Sequence, residues 1–119
     1  MFYGNETKNL PELVPQVFEH KQFGKIRVVT IEGEPFPVGI DVATALGYAN
    51  PQKALRDHVP EKFKRTERIV HPLGGAQDTI LINEAGMYRL VLRSRLPKAE
   101  EFTDWTCEVL VRIRACSHY

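Results

Sequence analysis

Residues 39–59 read "GIDVATALGYANPQKALRDHV", and this stretch decides the fold. A short apolar run reaches Gly47, breaks, and restarts at once behind Asn50-Pro51 with a basic outer side. Asp41 is expected as the N-cap of a first helix carrying Val42, Ala43, Ala45 and Leu46. Gly47 can take the left-handed conformation that ends it. Asn50 then caps a second helix, and Pro51 suits its first turn, where that N–H has no helical partner anyway. Ala54, Leu55 and either His58 or Val59 are expected to face inward, with Lys53, Arg56 and Asp57 outward. Pro60 ends the second helix.

Upstream, "QVFEHKQFGKIRVVTIEGEPFPV" reads as strands. Ile26, Val28 and Thr30 alternate with Arg27, Val29 and Ile31, so both faces are partly apolar. A turn is expected around Lys21 to Gly24, and a short third strand at Phe36 to Val38. Downstream, "RIVHPL" and "DTILI" flank "GGAQ", the composition of a hairpin with a flexible tip. Asn83 caps a third helix, whose apolar spacing uses Met87, Val91 and either Tyr88 or Leu92. Leu96-Pro97 breaks it. A last helix from about Lys98 to Arg114 carries a stripe of Phe102, Thr106, Val109 and Ile113, with Trp105 and Leu110 alongside.

The layout is α+β: a strand-rich N-terminal part, a helix-turn-helix-like pair, a β-hairpin, then two C-terminal helices. Residues 1–15 are expected to be loose, and 16–119 to form the domain. The chain has 119 residues, 43% hydrophobic and 26% charged, ordinary for a globular protein with its own core. No apolar run approaches the roughly 20 residues needed to cross a bilayer, so no membrane association is expected. The start "MFYGNETKNLPEL" does not read as a signal peptide, and a cytoplasmic protein is expected. Cys107 and Cys116 match neither a zinc knuckle nor a redox pair; two buried reduced thiols are expected.

Little in the chain suggests catalysis. His20, His58, His71 and His118 are scattered without metal-ligand spacing. Asp57 and His58 are helix neighbours pointing about 100° apart and do not make a dyad; His58 is expected at the core edge. Asp104, one turn from Cys107, would raise the thiol's pKa rather than activate it. Gly74-Gly75 sits in a hairpin, not in a phosphate-binding loop. The expectation is no enzyme, no metal and no cofactor.

Charge distribution says more than the net charge of +1. Between Lys53 and Arg68, six cations face three carboxylates. A helix pair with a basic second member is the local form of a helix-turn-helix, whose second helix can enter the major groove. The following hairpin would act as a wing against the backbone. On this reading Gln52, Lys53 and Arg56 contact base edges or phosphates. Lys62, Lys64, Arg65 and Arg68 add phosphate contacts. Arg89, Arg93 and Arg95 form a second basic group, with Arg89 and Arg93 on one helical face.

The residues also resemble a known family, the BRO N-terminal domain of baculovirus-type BRO proteins and phage and prophage antirepressors. One block is carried by Gly33, Glu34, Pro35, Phe36, Asp41, Val42, Leu46, Gly47, Tyr48, Asn50, Pro51, Ala54, His58 and Val59. A second runs through Ile82, Asn83, Glu84, Gly86, Tyr88, Leu90, Ser94, Ala99, Phe102 and Trp105. The similarity spans about Phe18 to Tyr119. It implies DNA binding through this domain and, in phages, antirepression that relieves repressor control of lytic genes. Such domains commonly end in a Leu-Pro-x-Ile-Arg-Lys-x-Gly-x-Tyr pattern, whereas this chain has "LVRIRACSHY". Val111 replaces the kinking proline, which predicts a straighter final helix.

The leading expectation is therefore a module that binds double-stranded DNA in an antirepressor-like regulator of transcription. The rival is a protein-interaction module that binds a phage repressor protein without contacting DNA. A homodimer is expected on the DNA reading, because one short recognition helix reads few base pairs and symmetric half-sites are a common remedy.

Overall fold

The computed structural model describes residues 13–71, 73–95 and 97–117. The fold is α+β. A meander of β1 (Gln16–His20), β2 (Gly24–Ile31) and β3 (Glu34–Pro37) leads into helices α1 (Gly39–Ala45) and α2 (Pro51–His58). A 3-10 turn at Glu61–Phe63 precedes the hairpin of β4 (Lys64–Val70) and β5 (Ala76–Ile82). Helices α3 (Glu84–Arg93) and α4 (Ala99–Ser117) complete the chain. Both sheets are antiparallel, and a bridge between Val38 and Leu81 joins them.

The two apolar faces of β2 serve two cores. Ile26 and Val28 enter the main core with Val42, Leu55, Ile82, Met87 and Phe102. Val29 joins Val38, Ile69 and Leu81 in a second cluster, flanked by the half-buried Ile31 and Phe36. Alternation along an extended strand sends neighbours to opposite sides, so β2 is buried from both.

Helix α4 presents the expected stripe. Phe102, Thr106, Val109, Leu110 and Ile113 are buried, and the helix runs without interruption through Ser117. Thr106 meets the core without an unpaired hydroxyl, because it donates to the Phe102 carbonyl at 3.0 Å. On α3, Met87 and Leu90 are buried, Tyr88 packs partly inward, and Leu92 is 78% exposed. Tyr88, not Leu92, completes the inner face.

Several expectations need correction. Asp41 does not cap α1: the helix begins two residues earlier behind Val38, whose side chain makes no cap hydrogen bond. Val38 is held in the sheet by donating to the Arg27 carbonyl, and the chain turns helical directly after it. The hairpin strands begin at Lys64 and Ala76, so Ala76 and Gln77 belong to β5 rather than to the tip. Leu13, the first described residue, is already tied to the hairpin. The Leu13 N–H donates to the Arg68 carbonyl, and its carbonyl accepts from the Val70 N–H. Residues 1–12 lie outside the described residues, as do the side chain of Cys116 and residues His118 and Tyr119. Cys107 is free but half-buried, less enclosed than expected, because it lies at the side of the α4 stripe.

Candidate nucleic-acid interface

Local chemistry builds α2 as expected. Gly47, at φ +85°, ends α1 in the left-handed region open to glycine. The Asn50 side chain accepts from the Lys53 N–H at 3.1 Å, and Pro51 opens the helix. Ala54, Leu55 and Val59 are buried, while His58 is half-buried with its ring 5.7 Å from that of Tyr48. The α1–α2 turn is tied to α3: the Tyr48 hydroxyl donates to the Leu90 carbonyl at 2.7 Å. The Ser94 hydroxyl donates to the Leu46 carbonyl at 3.1 Å. Gln52, Lys53 and Arg56 are therefore exposed on a helix that is fixed from behind.

The cations differ in how free they are. Arg56 is 72% exposed, with Nε 3.8 Å from Asp57. Lys53 Nζ lies 2.7 Å from Asp57, and this hydrogen bond, with Arg56 and His58 nearby, holds the Asp57 carboxyl below its ordinary range. Exposed Lys62 sets its ammonium 5.2 Å from the Phe63 ring centre. Lys64 is only 10% exposed, 2.9 Å from Glu61, and donates to the Leu55 carbonyl at 3.4 Å. It ties α2 to the hairpin, and its ammonium is mostly enclosed rather than open.

Strand register splits the remaining candidates. Arg65 pairs opposite Leu81, while Lys64 and Arg68 pair opposite Ile82 and Asp78. Alternation puts Arg65 on the hairpin face opposite to Arg68. Arg65 lies 2.6 Å from Glu67 and over the Phe36 ring at 5.2 Å. Arg68 is 57% exposed and 3.3 Å from Asp78. One groove between α2 and the hairpin brings together Gln52, Arg56 and Lys64 with Arg27, His71 and Asp78. Arg65 and Lys62 do not join it.

Arg27 could not be read as part of this groove from the sequence, because it lies on β2, far along the chain from α2, where it pairs with Asp41. On the other flank of α2, a second groove is lined by Arg56, Asp57, His58, Arg89, Leu92 and Arg93. The second basic group thus lies beside the first. Among the described residues no cluster of histidine, cysteine and carboxylate side chains could hold a metal ion. No described helix is long and apolar enough to cross a membrane.

A profile described as the BRO family, N-terminal domain, matches residues 25–112. The chain belongs to the BRO family. This Bro-N domain is 40% identical over 89 residues to an uncharacterized protein of Haemophilus influenzae, covering 74% of this chain and 44% of that one. A Bro-N domain-containing protein of Invertebrate iridescent virus 6 is 33% identical over 115 residues, covering 80% of this chain and 27% of its own. Another, from Autographa californica nuclear polyhedrosis virus, is 30% identical over 95 residues, covering 67% and 29%. The Bro-N chain spans less than half the length of these relatives. No solved structure matches it significantly.

Proposed function

We propose that this Bro-N domain is the DNA-binding module of a phage or prophage antirepressor-like transcriptional regulator in the cytoplasm, working without catalysis or cofactor. The observation that carries the reading is the outer face of α2. Gln52, Lys53 and Arg56 stand exposed on a capped helix that Leu55 and Val59 anchor in the core. A rigid helix with polar and cationic side chains pointing outward is what the major groove admits. Arg68 on the hairpin contributes from the wing position, and a dimer would extend the site read.

A second reading, a protein-interaction module that grips a repressor, draws on Leu92. This side chain is 78% exposed and lies in the same groove as Arg56 and Arg93, an apolar anchor among arginines of the kind interfaces use.

Fluorescence anisotropy on duplex DNA across a salt series separates the two, measured beside a Lys53→Glu/Arg56→Glu variant. The DNA reading expects affinity that falls steeply with salt, and a loss of about 1–3 kcal/mol in the variant. If neither protein binds DNA at low salt, the repressor-binding reading takes its place.

A further inference from the structure

Arg89, Arg93 and Arg95 have no part in the reading of α2 as a recognition helix, yet the fold gathers them beside it. Two grooves run along the seam between α2 and α3, of about 560 and 660 Å³. The first is lined by Arg56, Arg89 and Arg93, the second by Tyr48, Arg93 and Arg95. His58 and Arg93 line both, so the two adjoin. Among the described residues, Asp57 supplies the one carboxylate along this path; Lys53 holds it at 2.7 Å, and Arg56 lies 3.8 Å from it.

Among the described residues, no carboxylate lies within ion-pair distance of Arg89, Arg93 or Arg95. The hairpin groove differs: Arg27 is bound to Asp41 and Lys64 to Glu61, and Asp78 stands in it. The C-terminal ends of α2 and α3 meet the seam, and each helix end carries about half a negative charge. Four arginines exceed that and the single carboxylate, so the seam keeps a net positive charge. Arg89 is further fixed by lying 5.5 Å over the Phe63 ring.

We infer that the α2–α3 seam is a second binding site, which holds the phosphate backbone of a nucleic-acid duplex through Arg56, Arg89, Arg93 and Arg95. The inference rests on the DNA-binding reading of α2. In it, the helix enters the groove while the seam, rather than the hairpin, supplies most of the phosphate contacts. The guanidinium groups of Arg89, Arg93 and Arg95, unlike that of Arg56, which faces Asp57 at 3.8 Å, meet no carboxylate among the described residues, and they release bound counterions from the duplex without first breaking an internal ion pair.

The test measures log affinity against log salt for the full chain and a labelled duplex, between about 50 and 200 mM salt. An Arg89→Gln/Arg93→Gln/Arg95→Gln variant is compared with a Lys21→Gln/Lys25→Gln/Arg112→Gln variant, which removes the same charge elsewhere. The seam variant is expected to have a slope shallower by about 2–3, and the control variant to keep the wild-type slope. Circular dichroism melts check folding. If the triple variant melts early, Arg93→Gln/Arg95→Gln keeps the Arg89–Phe63 contact and should lower the slope by about 2. Wild type that binds with steep salt dependence, beside seam variants with an unchanged slope, overturns the seam and leaves the α2 reading standing. An equal loss in the control variant overturns it as well. Wild type that does not bind overturns both.

Discussion

Arg27 closes on Asp41 with three hydrogen bonds. Its Nε donates to one carboxylate oxygen at 2.8 Å and a terminal nitrogen to the other at 2.9 Å. The Arg27 backbone N–H adds a third at 2.9 Å. The side chains are only 22% and 15% exposed, and the hydrogen bond to Asp41 raises the Arg27 pKa further. The pair joins the middle strand of the first sheet to the first turn of α1, where a carboxylate is also favoured by the helix dipole.

Asp41→Asn is expected to destabilise the fold by about 2–3 kcal/mol, since it strands a half-buried guanidinium. Arg27→Leu/Asp41→Leu should cost less than the sum of the single substitutions. Urea denaturation of the four proteins in this double-mutant cycle measures the coupling. Additive losses would mean the pair holds nothing together.

Gly86 sits in the first turn of α3, where three elements converge. A Cβ there would meet Val59 Cγ1 at 3.1 Å, Ile82 Cβ at 3.2 Å and Phe63 Cβ at 3.3 Å. Alanine normally improves a helix by up to about 1 kcal/mol over glycine. Here Gly86→Ala is expected to lose about 1–3 kcal/mol instead, because two of the atoms in the way are near the backbone. A thermal melt reads the sign directly.

The cap of α2 links stability to the recognition surface. Asn50→Ala should cost about 1 kcal/mol, lowering Tm by roughly 4 °C. Asn50→Asp, which keeps a capping oxygen, should restore most of it. Amide hydrogen exchange should show faster opening at Lys53 in the alanine variant, since that N–H donates to the Asn50 side chain.

Two tyrosines predict loss of stability at alkaline pH. Burial pushes the Tyr48 phenol above its ordinary range, against an opposing pull from Arg93. Tyr88 is raised mainly by its hydrogen bond with Cys107, then by burial and by Glu84. A raised folded pKa means that this stability is complete below the unfolded value near 10. It is lost as pH rises from there through the folded pKa. The urea midpoint should therefore fall above about pH 10. Tyr48→Phe should begin about 1 kcal/mol lower at neutral pH, lacking the bond to the Leu90 carbonyl, and decline less steeply.

What the chain itself determined is what neighbouring residues can settle. The Asn50 and Asn83 caps, the Gly47 turn, the inward set of Ala54, Leu55 and Val59, and the α4 stripe all follow from cap chemistry and a period of 3.6 residues. These reach only a few positions along the backbone. Tertiary structure decided the rest. The Asp41 carboxylate could look like a cap until β2 brought Arg27 against it. Lys64, Arg65 and Arg68 read as one basic run, yet strand register turns Arg65 away and packing encloses Lys64. The neighbourhood of Arg56 with Arg89 and Arg93 depends on α3 docking behind α2, through contacts such as Tyr48 to Leu90. Charge counts along a sequence ignore which face a side chain takes and which carboxylate reaches it. Packing between distant segments assigns both, and with them the surface available to a partner.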